Sequence, residues 1–149
     1  QMQGVRAAIK LRTSSDSAGT ALWLSLVASA VATWRSYEGV QYTLKPSVQG
    51  LIEELCGRLE EKHGKHLVRA VLAYLTLSRN GLSEWELVHL CSLEDDVLAE
   101  AYEHLVPSLR TCPPVLVSRL LQELEPYITR RADCGGAGQD LLTSRHKQF

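Results

Sequence analysis

The chain has 149 residues, 45% hydrophobic and 22% charged, with a formal net charge of -1. That is enough apolar material for one domain or two small helical subdomains, and too little net charge to steer the whole chain toward nucleic acid or an anionic membrane. Its four cysteines, Cys56, Cys91, Cys112 and Cys134, stand far apart with no C-x-x-C pair, which argues against a disulfide scaffold and for reduced thiols in the cytosol. Because it starts on Gln1 rather than Met, the chain is expected to be a piece of a longer polypeptide.

Residues 1–12 are mixed in character and compatible with a short helix, and residues 13–17 form a loop rich in N-cap candidates. Residues 20–35 follow as a helix that is apolar nearly all round, so it should be buried on most sides. Residues 17–34 carry no charge, basic residues precede them, and Ala28-Ser29-Ala30 resembles a signal-peptidase site. Gly19, Thr20, Ser25, Ser29 and Thr33 interrupt the run, and a span needs about 20 apolar residues. A buried helix of a soluble protein is therefore the expectation, with no membrane partner.

Residues 39–45 read as a linker closed by Pro46, which divides the chain into a helical segment (1–45) and a helical/winged-helix domain (46–149). Ser47 can cap a helix in which Leu51, Ile52, Leu55, Cys56 and Leu59 recur at helical spacing. Gly64 is placed to stop it as a left-handed C-cap. The next helix carries Leu67, Val68, Val71, Leu72 and Leu75 on one face, and Asn80-Gly81 turns the chain. Ser83 and Glu86 then form an S-x-x-E capping box, with Leu82 and Leu87 at the staple positions, so a short helix runs from 83 to about 90. Ser92 is expected to cap a fourth element with Val97, Leu98, Ala101, Leu105 and Val106 as its buried stripe. Pro113-Pro114 opens another helix to about residue 124, and Pro126 ends it. Residues 127–130 read as a strand, 134–138 as a glycine-rich turn, and 141–143 as the returning strand. Helix, turn, capped short helix, further helices and hairpin give a mainly α fold: a helical segment followed by a winged helix-turn-helix with a small terminal β-hairpin. Fold alone does not give function.

The sequence lacks a phosphate-binding G-x-x-x-x-G-K-[ST] loop and a G-x-S-x-G elbow, so no catalytic residues are assigned. His63 and His66 stand three apart, but no further ligands complete a metal site by spacing; they read as solvated histidines complementing a helix dipole. Glu53-Glu54 and Glu60-Glu61 lie on the polar face of their helix. Trp23, Trp34, Tyr74 and Trp85 sit in or beside apolar stripes and read as core. A DNA-binding role is weighed against residues 93–104, taken as the helix that would enter the major groove: they carry five acids and no Lys or Arg, which phosphate would repel. Arg130, Arg131 and Arg145 in the wing do not offset this. A protein partner is favoured, with a DNA-binding domain and a plain helical scaffold as the rival readings.

Residues 76–87, Thr-Leu-Ser-Arg-Asn-Gly-Leu-Ser-Glu-Trp-Glu-Leu, resemble the "SR-x-GLSE-x-EL" segment that follows the nucleotide-binding core in animal NACHT-type STAND NTPases. These are NACHT proteins with WD-repeat or tetratricopeptide tails, nephrocystin-like and telomerase-associated members among them. Further pieces agree in order: Ala21 to Leu26 is similar to a "PLYL-x-L" helix, Leu51 to Gly64 to an "L-I-x-x-x-L-x-R-L-E-x-x-x-G" helix, Pro113 to Tyr127 to a "PP-x-x-W-x-x-L-x-x-x-L-x-P-Y" run, and Leu142 to Phe149 to an "L-x-x-x-H-R-Q-F" ending. The likeness covers about residues 18–149. Val117 stands where an aromatic is common, Lys147 where Arg is common, and Ala21 where Pro is frequent. The resemblance implies a non-catalytic, cytoplasmic signal-transduction module. It would pack against a P-loop NTPase domain of the same polypeptide and take part in a nucleotide-dependent switch, with protein partners held by repeats elsewhere. It also implies that His146, matching the winged-helix histidine of the family, contacts the phosphate of ADP. The chain itself would hold no cofactor, ADP or ATP belonging to the full-length protein.

Overall fold

A computed structural model describes residues 21–32, 47–103, 110–132 and 140–144. Contacts divide the chain into two compact units, residues 1–57 and 58–149.

In the first unit, helix α1 spans Ala21–Ala32. Leu22, Trp23, Leu26, Val27 and Ala30 are buried, whereas Leu24, Ser25 and Ala28 are exposed. The sequence suggested burial on most sides; in fact one stripe at i, i+4 spacing is covered, and the opposite face is kept small or polar except at Leu24. No described helix is long and apolar enough to cross a membrane. Helix α2, Val48–His63, starts here and continues into the second unit. Ser47 caps it as expected: its Oγ accepts the Gly50 N–H at 3.0 Å. Leu51, Leu55 and Leu59 line its buried face.

The second unit begins with a change of direction at one residue. Gly64 closes α2, its N–H donating to Glu60 O at 3.0 Å, and opens helix α3, Lys65–Leu77, whose Val68 N–H donates to Gly64 O. Its φ of +99° matches the positive value expected of a C-cap, but its ψ of 141° is extended rather than left-handed helical. A single residue is both stop and start, a backbone state open almost only to glycine. Leu67, Val68, Val71 and Leu75 form the buried stripe of α3, with Leu72 half-buried.

After the Gly81 turn (φ +92°), Leu82–Ser83 forms a two-residue strand β1 and leads straight into α4, Glu84–Cys91. The capping box is complete. Ser83 Oγ accepts the Glu86 N–H at 3.2 Å, and the Glu86 carboxylate accepts the Ser83 N–H at 2.8 Å. Ser92 does not cap the next helix. Its Oγ donates back to Val88 O at 2.6 Å and accepts the Cys112 N–H at 2.8 Å, so it ends α4 and ties it to the chain before α6. Helix α5 starts later, at Asp95–Ala101, and the side chain of its N-cap, Glu94, does not cap it. Asp95 and Asp96 in its first turn suit the positive end of the helix dipole. Of the stripe foreseen for α5, Val97 and Leu98 are buried and Ala101 is half-buried; Leu105 and Val106 lie outside the described residues.

Helix α6, Pro114–Leu124, begins on proline and buries Val117, Leu120, Leu121 and Leu124. A 3-10 turn, Glu125–Tyr127, ends it at Pro126 and delivers the chain into β2, Ile128–Ala132. β3, Asp140–Ser144, returns antiparallel, with Arg130 opposite Leu142. β1 adds to the far side of β3, giving the order β1-β3-β2. The hairpin was legible in the sequence; β1 was not, because two residues are too few to show alternation. Ile128 and Leu142 are buried on one sheet face, β3 lies against α3 and α4, and Leu87, Leu120, Leu121, Leu124 and Leu142 are among the most deeply buried side chains. Each such leucine contributes about 2 kcal/mol.

Candidate functional site

The residue singled out by resemblance, His146, lies outside the described residues, as does Cys134; β3 ends at Ser144. Among the described residues no group of three or more His, Cys, Asp or Glu is placed to hold a metal. His63 is not solvated as the sequence suggested. Its side chain is 7% exposed, and its Nε2 stands 3.0 Å from Glu123 Oε1, which also accepts from Lys62. Burial pushes the Glu123 carboxyl up, but the bonds from Lys62 and His63 outweigh it and hold the group below its ordinary value. His66 is half-exposed, 3.9 Å from Asp96, and sits at the start of α3 rather than at a helix end.

Cys91 and Cys112 are free, fully buried thiols. Burial pushes Cys91 up to about 12, with Cys112 and Glu94 adding to it, and also raises Cys112. Such thiols behave as small hydrophobes, not nucleophiles. Tyr74 donates to Glu94, and that bond pushes its phenol up to about 12. The Tyr74–Glu94 bond ties the start of α5 to α3.

What the fold does leave open is a concavity of about 400 Å³ lined by Glu84, Trp85 and Val88 of α4, Pro114 of α6, Arg130 of β2, and Asp140 and Leu142 of β3. Trp85 is 56% exposed, which corrects its reading as core. Its ring meets His89 edge to face, with centroids 4.5 Å apart. Val115, next to Pro114, is 57% exposed. Glu84 is held by the Ser118 hydroxyl. Local geometry explains the exposure. In α4 the buried positions are Leu87, Val88 and Cys91, and at 100° per residue Trp85 points about 110° away from their centre. That offset was computable from the sequence, but the bulk of tryptophan outweighed it. Arg130 and Asp140 share the core-facing side of the sheet with Ile128 and Leu142, at the point where the apolar face runs out.

Helix, short strand, helix, further helices and an antiparallel hairpin that closes a three-stranded sheet define a winged helix-turn-helix. The helix that runs into the wing is α6, not α5. The chain matches, over residues 36–131, the family described as NWD1-like, winged helix-turn-helix domain, and it belongs to that family. It is 38% identical over 129 residues to NACHT domain- and WD repeat-containing protein 1 of Homo sapiens, which covers 85% of this chain and 8% of that protein. The Mus musculus protein of the same name gives the same identity and coverage. NACHT and WD repeat domain-containing protein 2 of Homo sapiens is 35% identical over 113 residues, 74% of this chain and 6% of that protein. The chain thus spans less than a tenth of the length of these relatives. No solved structure gives a significant match.

Proposed function

We propose that the chain is the regulatory winged-helix module of a NACHT-type signalling NTPase. It is non-catalytic, cytoplasmic, and packs through its 46–149 domain against a P-loop domain of the same polypeptide. The observation that carries this reading is membership of the winged-helix family together with likeness to two proteins named for a NACHT domain and WD repeats. The module responds to nucleotide by moving as a body against the P-loop domain, a hinge-type switch. His146 is the contact to ADP. An imidazole beside a phosphate donates a charge-assisted hydrogen bond. The partners are proteins, met through repeats elsewhere in the polypeptide, rather than nucleic acid, because a net charge of only -1 supplies no positive field to hold phosphate.

In the full-length protein, His146→Ala is expected to speed ADP release about tenfold, as loss of one charge-assisted bond does. Release followed with a fluorescent ADP analogue checks it, and an unchanged rate removes His146 from the site. The 149-residue chain alone is expected to show no saturable ATP binding by calorimetry; tight binding would overturn the non-catalytic reading.

A further inference from the structure

β2 is an outer strand: among the described residues it pairs with β3 on one side and with nothing on the other. Its free edge is short, and two consecutive arginines, Arg130 and Arg131, occupy it. Both are exposed, and neither joins an ion pair among the described residues. Alternation sends them to opposite faces. Charge on an edge strand is a common guard against unwanted pairing. Guarding alone leaves the neighbouring feature unexplained. On the same face as Arg130 the sheet opens into the 400 Å³ groove, where Trp85 stays 56% exposed above buried Val88 and Leu142. A strand edge that only repels has no use for an exposed tryptophan beside it.

We propose that the β2 edge and the Trp85 groove together bind an extended acidic–apolar segment of a partner protein, added as a fourth strand beside β2. Backbone groups of the segment pair with the free edge of β2, the mode of binding in which main-chain bonds give affinity and alternate side chains give specificity. Adjacent acids in the segment meet Arg130 on one face and Arg131 on the other, and arginine receives a carboxylate through two parallel bonds. A large apolar side chain on the groove face covers Trp85 and Pro114. The two acids of the groove do not reverse this preference: Glu84 is already bonded to Ser118, and Asp140 lies on β3, one strand in from the edge. A second copy of the chain is disfavoured as the occupant, because β2 against its own copy sets these arginines against one another. The proposal does not depend on the NACHT reading; it concerns a surface of the winged helix itself.

The test starts from a random dodecapeptide phage library selected on the folded 149-residue chain. Enriched peptides are expected to carry adjacent Asp/Glu next to a large apolar residue. A fluorescein-labelled copy of the most enriched peptide is then titrated by anisotropy. Arg130→Glu with Arg131→Glu should weaken it more than tenfold, and Trp85→Ala about tenfold. Circular dichroism checks that each variant is folded, and Trp85→Phe should retain binding if the ring surface is what matters. Bound peptide should also slow amide exchange along β2. Selection of peptides without acids, binding unchanged in the arginine reversals, self-association through β2 on gel filtration, or preferential binding of a random-sequence DNA duplex would each overturn the proposal.

Discussion

Helices α3 and α4 stand next to each other in the chain and are started in opposite ways. At α4 the carboxylate and hydroxyl come from the helix itself: Ser83 and Glu86 satisfy each other's backbone N–H groups. At α3 the carboxylate is borrowed. Glu100 of α5 accepts the N–H groups of Lys65 at 2.8 Å, His66 at 3.0 Å and Leu67 at 3.2 Å. The first device works as soon as one turn forms. The second works only when α5 has docked, so it converts a helix start into a tertiary contact, and the dipole of α3 rewards the docked charge. Local caps specify where a helix begins; remote caps specify which helices pack together.

The largest expected effect strikes the remote cap. A Cβ on Gly64 would lie 2.5 Å from Glu100 Oε2, at a φ of +99° that other residues rarely adopt. Gly64→Ala is therefore expected to cost about 3 kcal/mol, measured by urea denaturation. Pairing it with Glu100→Ala separates the two causes. Removing the carboxylate relieves the clash but not the backbone strain, so the double variant should be less destabilised than the sum of the singles. Simple additivity would show that Glu100 does not sit on the start of α3.

A smaller pair of effects sharpens the contrast. Glu100→Gln keeps the shape but removes the charge and one of the two acceptor oxygens, so either the Lys65 bond or those of His66 and Leu67 are lost as well, at a cost of about 1.5 kcal/mol. Ser83→Ala loses the local cap, at about 1 kcal/mol. The sizes are close; the distribution differs. Amide exchange should rise in both α3 and α5 for Glu100→Gln, and only around the first turn of α4 for Ser83→Ala. Equal spreading in both variants would remove the distinction between local and remote caps.

The same division decides what could be read from the sequence. The Ser83 box, the Ser47 cap and the proline start of α6 were legible because each is set within a few residues, and the hairpin because a glycine-rich stretch separates its two strands. The role of Glu100 was not: its partners are more than thirty positions away, and on its own it looks like one more acid on a polar face. His63 was misjudged for the same reason, since its burial depends on Glu123, sixty positions on. Ser92 shows a local signal overridden, its hydroxyl being drawn to Val88 and Cys112 instead of to a new helix. Of the groove, the exposed position of Trp85 was computable from helical geometry, but its meeting with Arg130 and Leu142 required the sheet.

The smallest effect is one of pH, and it extends the contrast to a helix C-terminus. Lys62 and His63 end α2 and meet Glu123 of α6, again a remote partner. Glu123 is held below its ordinary value in the folded state, whereas in the unfolded chain it titrates near 4.3. A carboxyl depressed on folding contributes stability above its unfolded value and loses it as pH falls through the folded one. Acidification from about pH 5 should therefore remove this contribution progressively. Glu123→Gln should make the acid side of the stability profile shallower while costing about 0.5 kcal/mol at neutral pH, as expected for a partly exposed pair. Added salt should shrink the difference between the two proteins, because the cations that depress Glu123 include the exposed Lys62. Thermal melts at pH 7, 5, 4 and 3 check it. Parallel profiles for the two proteins would show that the end of α2 is held to α6 by packing alone, without help from charge.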